Sequence, residues 1–253
     1  MKPENFQNKV VLIAGGGYFG SQAVIISKDV NAKVVVIDNK IDCEASVFID
    51  EIIRETNVQK TSDVKAGAAA LFVCDAVEFT VRLMMMASPD YIVPAMQGHF
   101  AGKLVKKWLE CEGLEVRSTS NVLENVLKDI PQSLILHCDK EMGVIITSYM
   151  SKGNLCEVPC DQPIDICPST GIAKMGPMHH ILAYATHDKV TLSKILVGHT
   201  LWGRKGGEVG YFQGSALMSF LSDTKQLKTP YSLAVGTACD CHGILNLFYV
   251  SPC

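Results

Sequence analysis

Residues 10–40 read VVLIAGGGYFGSQAVIISKDVNAKVVVIDNK, and the fold is decided there. Lys9–Ala14 is a short run rich in Val and Ile, too short for a helix, and reads as a strand. A glycine cluster follows, and Phe19–Lys28 then has helical spacing with no breaker. Lys33–Asp38 is a second continuous apolar strand. Continuous rather than alternating apolar runs mark strands covered on both faces, as in parallel sheets. Between the first strand and the helix, Gly15, Gly17 and Gly20 stand in the order G-x-G-x-x-G, with Tyr18 and Phe19 inside the motif. In such a loop the first glycine permits the tight turn, the second lets a pyrophosphate approach the backbone, and the third lets helix and sheet pack closely. The helix N-terminus adds free N–H groups and partial positive charge. Asp38 closes the second strand at the position of a carboxylate that receives ribose hydroxyls, with Asn39 beside it. A carboxylate there repels a 2′-phosphate and favours NAD over NADP; the neighbouring Lys40 works against that preference. These residues point to a dinucleotide-binding βαβ unit.

Strand–helix alternation continues along the chain. Cys43–Glu55 is expected as a helix, Ala70–Cys74 as a third strand, Val77–Ala87 as a helix, Tyr91–Ala95 as a fourth strand, Phe100–Glu110 as a helix and Leu114–Ser118 as a fifth strand. The stretch quoted above, and residues Val10 to about Ser118 with it, resemble the NAD-binding regulatory domains of potassium transporters and channels, and more broadly NAD(P)-binding Rossmann domains. The resemblance implies a Rossmann-type fold and a bound nucleotide, with Gly15, Gly17, Gly20 and Asp38 in the binding roles; it implies no reaction. The expected fold class is therefore α/β, a doubly wound, mostly parallel sheet over residues 1–130, followed by a smaller α+β part over residues 131–253. In that second part, Ser133–Cys138, Gly143–Tyr149, Val190–Val197, Leu233–Thr237 and Ile244–Val250 read as strands, and Met178–Thr186 and Ser215–Ser222 as helices.

Ligands of open α/β sheets bind beyond the carboxyl ends of the strands. Asp75 follows the third expected strand and His99 the fourth, so Asp75 is a candidate nucleotide contact and His99 a candidate general acid or base. A solvated or helix-capping role for His99 is the alternative.

The second part carries clustered cysteines: Cys156, Cys160 and Cys167 in CEVPCDQPIDICPSTG, and Cys239 and Cys241 in CDCH. Thiolates suit zinc or an iron–sulfur cluster. Three readings compete for these five residues: a metal or iron–sulfur site, a redox-active dithiol pair, and a rigid loop with free thiols. Trp202–Gly210 reads as a glycine-rich basic loop able to close over an anion.

Composition bounds the function class. The net charge of −3 lacks the basic surplus of an electrostatic nucleic-acid binder. The longest apolar stretch, Ala68–Ala87, carries Asp75, Glu78 and Arg82, which argues against a membrane span. Ten cysteines without an export signal suit reduced thiols in a cytoplasmic protein. The leading expectation is an NAD(P)-dependent oxidoreductase acting on a small molecule, with room for a homo-oligomer. The alternatives are a nucleotide-sensing regulatory or assembly protein without turnover, and a methyltransferase or cofactor-assembly enzyme using S-adenosylmethionine on a related fold.

Overall fold

The computed structural model describes residues 6–54, 56–150, 160, 163–202 and 208–253. The chain is mixed α/β and divides into two compact units, one of residues 1–100 and 199–219, the other of residues 101–198 and 220–253. Among the described residues no helix is long and apolar enough to cross a membrane.

Unit 1 is built on β1 (Val10–Ala14), α1 (Tyr18–Asp29), β2 (Lys33–Asp38), β3 (Glu51–Ile53), β4 (Ala69–Val73), α2 (Ala76–Met86), β5 (Tyr91–Pro94), β10 (His199–Trp202) and β11 (Glu208–Gln213). Its sheet runs β10-β11-β5-β1-β2-β4-β3. The strands from β5 to β3 are parallel, whereas β11 joins β5 antiparallel and β10 joins β11 antiparallel. The four apolar residues Val34–Ile37 of β2 are fully buried, as their lack of alternation requires. Chain order moves outward from β1 through β2 on one side and only later occupies β5 on the other. That reversal makes a topological switch point at the carboxyl ends of β1 and β5. At the far side of β5, Phe6, Tyr91 and Tyr211 form a ring cluster with centroids 4.2–5.2 Å apart.

Two expectations change, and a third falls mostly outside the described residues. The segment read as a helix over Cys43–Glu55 is instead a 3₁₀ turn, Glu44–Phe48, followed by the edge strand β3. The β-branched Ile49, Ile52 and Ile53 favour the extended form once β4 offers a partner. Of the expected basic loop, Trp202 closes β10 and Glu208–Gly210 open β11, while residues 203–207, with Arg204 and Lys205, lie outside the described residues. The expected break at residue 130 also differs from the observed one at 100/101. The reason is β6 (Leu114–Ser118), which is not a fifth parallel strand but pairs antiparallel in the second sheet. Its alternation of Leu114 and Val116 with Glu115 and Arg117 is the pattern of a half-covered antiparallel strand.

Asp50, between the 3₁₀ turn and β3, pins this edge. Its Oδ2 accepts from Lys28 Nζ and from Ala69 N, each at 2.7 Å. The Lys28 bond and then the Ala69 bond outweigh desolvation and hold the carboxyl below its usual range. A depressed folded pKa gives stability that is complete above the unfolded value of about 3.9 and is lost as pH falls through the lower folded value. Because the side chain is half exposed, the effect is held below about 1 kcal/mol. Thermal melts of Asp50→Asn should therefore lie below those of the native chain at neutral pH, and the gap should close in strong acid.

Unit 2 contains the rest: most of α3 (Phe100–Cys111), then β6, α4 (Ser120–Leu127), β7 (Ile135–Asp139), β8 (Val144–Ser148), α5 (Met178–Thr186), β9 (Leu192–Val197), β12 (Tyr231–Ala238) and β13 (His242–Pro252). The helix α6 (Gly214–Thr224) runs across the boundary. The second sheet runs β7-β8-β13-β12-β9. β13 is long enough to pair with β8 through His242–Asn246 and with β6 through Phe248–Pro252. Leu123 and Val126 of α4, Leu182 and Ala185 of α5, and Leu245 and Leu247 of β13 share one core.

Candidate functional site

In unit 1 the chain leaves β1 into the glycine loop, and α1 begins at Tyr18 with Gly17 at its N-cap and no side chain capping it. The glycines serve different ends. Gly15 has φ +107°, and a Cβ there would stand 2.7 Å from the Ala95 carbonyl oxygen. A Cβ on Gly16 would strike Cys43 Sγ, and one on Gly20 would strike the Gly15 carbonyl oxygen. Packing thus requires all three. Gly17 is the exception: its φ of −73° is open to any residue, and a Cβ there would meet nothing within 4 Å.

Asp38 closes the loop from below. Its Oδ2 accepts from Gly16 N at 2.7 Å and its Oδ1 from Lys40 N at 2.9 Å. A carboxylate has about four acceptor sites, so both oxygens keep capacity for hydroxyl donors. Burial, and then the Asp38 charge, push the Cys43 thiol above its ordinary pKa, which keeps it neutral under the loop. Tyr18 and Phe19 are exposed at the helix start, packed edge to face with centroids 5.4 Å apart. Asn39 is exposed beside Asp38.

The remaining expected residues of this unit are placed differently. Asp75 is the N-cap of α2, its Oδ1 accepting from Glu78 N at 2.8 Å. His99 is buried at the approach to α3 rather than displayed beyond β5. Two surface clefts of unit 1, one lined by Asp90 and Gln213 and the other by Ile52 and Arg54, include no residue of the glycine loop.

Unit 2 brings the cysteine clusters together. Cys156 lies outside the described residues; Cys160, Cys167 and Cys241 are buried and Cys239 is half-buried. Residues 165–174 form a hairpin: Lys174 N donates to the Asp165 carbonyl, Cys167 N to Ile172 O, and Gly171 turns the tip with φ +69°. At that tip the Cys167 thiol is buried, 3.8 Å from Met150 Sδ. Desolvation raises its pKa, but hydrogen bonding from Thr170 and Ser169, with the Lys174 charge, outweighs it and holds the pKa below the ordinary value.

The turn from β12 to β13 gathers backbone N–H groups on one sulfur. Cys239 Sγ accepts from Cys241 N at 3.4 Å and from His242 N at 3.3 Å, with His242 Nδ1 at 3.7 Å. The start of α5 braces this turn: Met178 N donates to Asp240 O and His179 N to Cys239 O. Between hairpin and turn lies Lys174, whose Nζ donates to Pro163 O at 2.6 Å and to Cys241 Sγ at 3.0 Å. Its ammonium is desolvated, yet Cys241, and after it the charges of Cys167 and Cys160, hold its pKa above normal. Desolvation, then Lys174, holds the His242 imidazole below its usual value.

Sequence reading named the cysteines but missed Lys174, which no local motif marks. At the start of α5 the rings of His179 and His180 stand edge to face with centroids 4.3 Å apart, and His179 Nδ1 lies 3.3 Å from Asp240 Oδ1. Among the described residues, no group of three or more His, Cys, Asp or Glu side chains is placed so that it could hold a metal ion.

Residues 101–251 match a family model described as "Uncharacterized protein, C-terminal domain". An "Uncharacterized protein" from Archaeoglobus fulgidus is 26% identical over 235 residues, covering 93% of this chain and 97% of its own length. No solved structure matches.

Proposed function

The chain belongs to the AF_1314_C family, and we propose that it binds an NAD(P)-class dinucleotide on the loop Gly15–Gly20 of a Rossmann-type unit 1 and acts as an oxidoreductase. The observation that carries this reading is Gly17. Fold and packing require Gly15, Gly16 and Gly20, whereas neither conformation nor packing requires Gly17. A glycine left open at a helix N-terminus, at a topological switch point, is what close approach of a pyrophosphate needs. The N–H groups of the first turn of α1 would receive the phosphates, and Asp38 the ribose hydroxyls. The negative charge of Asp38 disfavours a 2′-phosphate, so NAD is the preferred form. When bound, the nicotinamide supplies hydride transfer; the chain's own part is to bind and orient it.

Calorimetry with NADH, NADPH and S-adenosylmethionine tests the reading. NADH should bind most tightly, and Gly17→Val should weaken it by about 100-fold or more, because the branched side chain fills the phosphate approach, while the thermal melt stays within about 2 °C of the native chain's. Equal affinity in Gly17→Val would place the nucleotide elsewhere. The burial of His99 favours a second reading, a nucleotide sensor without turnover. Oxidation of bound NADH by a quinone or tetrazolium acceptor separates the two: turnover supports the enzyme, and binding without turnover supports the sensor.

A further inference from the structure

We propose that the outer edge of β3 in unit 1 is a dimerisation surface, on which a second copy of this chain adds its own β3 antiparallel about a two-fold axis at Ile52, independently of the nucleotide reading. β3 ends the first sheet. Its register on β4 pairs Glu51 with Ala70, Ile52 with Leu71 and Ile53 with Phe72, and Asp50 N donates to Ala69 O at 2.9 Å. In a parallel ladder, alternate residues bond the same neighbour. Asp50 and Ile52 therefore turn their backbone groups to β4. Glu51 and Ile53 turn theirs outward, where among the described residues no strand pairs with them. Open edges are commonly guarded by a proline, a bulge or a lysine. β3 has none of these: its register is unbroken, and the β-branched Ile52 at its centre is 45% exposed.

The flanking side chains supply what so short a strand cannot. Lys28 Nζ, at the end of α1, donates to Phe48 O at 3.0 Å and to Asp50 Oδ2 at 2.7 Å, so the 3₁₀ turn and Asp50 lie on the α1 face of the edge. Alternation along the strand puts Ile52 and Arg54 on that face as well. Val47 and Phe48 in the turn are 78% and 37% exposed, apolar surface beside the open edge that a partner would cover. Charge decides which partner. Asp50 and Arg54 stand at equal distances on either side of Ile52, with opposite sign. In an antiparallel pair centred on Ile52, each Asp50 faces Arg54 of the second copy. The bonds to Asp50 from Lys28 and from Ala69 N both fall on Oδ2, which leaves Oδ1 for the arriving guanidinium. A parallel pair in register would instead set Asp50 against Asp50 and Arg54 against Arg54.

Such a contact uses the same patch on both copies, as a two-fold interface requires. Glu51 and Ile53 of one copy exchange backbone bonds with Ile53 and Glu51 of the other. Ile52 meets Ile52 as a non-hydrogen-bonded pair, the arrangement in which facing side chains approach most closely. A surface cleft lined by Ile41, Ile53 and Lys60 runs beside the same strand and gives the approaching one room. Pairing joins the first sheets of two chains into one continuous sheet.

Sedimentation equilibrium of the full-length, reduced protein across the micromolar range should give the mass of a dimer. Ile52→Lys sets like charges face to face on the axis, and Arg54→Glu turns both ion pairs into repulsions. Each should weaken the dimer by about tenfold or more. Both side chains are exposed, and far-ultraviolet dichroism confirms that each variant is folded. The register has its own readout. Ile52→Cys, treated with glutathione disulfide, should join two chains covalently, because facing Cα atoms of a non-hydrogen-bonded pair lie about 4.5 Å apart, inside the range a disulfide spans; the glutathione disulfide leaves as its two thiols. Glu51→Cys faces Ile53 of the second copy and should join far less. The native chain, with exposed Cys111 and Cys253, sets the background. A monomer at every concentration overturns the proposal. So does a dimer that Ile52→Lys and Arg54→Glu leave intact, or equal joining in Ile52→Cys and Glu51→Cys.

Discussion

Gly20→Ala is expected to lower the stability of unit 1 by about 2–4 kcal/mol and to abolish nucleotide binding with it. In most exposed helical positions the change would stabilise, since Ala exceeds Gly by about 1 kcal/mol in helix propensity. Here the added methyl meets the carbonyl oxygen of Gly15, part of the backbone of the same loop and unable to swing aside. Relief requires α1 to lift from β1, a large overpacking cost of about 1–3 kcal/mol beyond the lost propensity gain, with repacking of Val24 and Ile13 added. Urea denaturation of native and variant chains measures it. A variant as stable as the native chain would mean that helix and loop are not in contact as described.

Asp38→Ala is expected to cost about 2–3 kcal/mol, because the N–H groups of Gly16 and Lys40 both lose a charged acceptor. Asp38→Asn should fall between, since its single amide oxygen can satisfy one of the two. The functional effect is separable from the structural one. Removing the carboxylate removes its repulsion of a 2′-phosphate, so the ratio of NADPH to NADH affinity should rise by about tenfold or more in Asp38→Ala. Calorimetry of both ligands on both variants reads this ratio, which a loss of folded protein alone does not move. An unchanged ratio would remove Asp38 from the ribose contact.

What the sequence revealed divides along the range of the forces involved. The segment from Val10 to Asp38 was legible because strand, glycine turn, helix and strand are each set by local chemistry, and their register follows from it. The helix α5 was legible for the same reason, lying close to its expected bounds. Leu114–Ser118 was legible as a strand but not in its partner, because antiparallel pairing with β13 is settled by residues at the other end of the chain. Its alternating Glu115 and Arg117 carried a signal that the covered strands β1 and β2 lack. The expected helix at Cys43–Glu55 failed where an available sheet edge overrode local spacing. In the candidate sites, glycine positions could be read, but not which of them packing already accounts for: that needed the neighbours Ala95, Cys43 and Gly15. The cysteines could be counted, yet the bond from Lys174 to Cys241 emerges only when the hairpin 165–174 is seen with the β12–β13 turn.

The return of residues 199–219 to the first sheet bears on how the chain is made. On a ribosome the N-terminal hundred residues emerge with β5 still an open edge, and Phe6 and Tyr91 wait without Tyr211 to complete their ring cluster. The strand that caps that edge is synthesised only after about a hundred intervening residues, at about 5–20 residues per second, so the edge stays uncovered for several seconds. During that interval it is the part of the nascent chain most open to mispairing with another strand. Expression of a fragment ending near residue 130 freezes that interval permanently, and such fragments should aggregate where the whole chain does not.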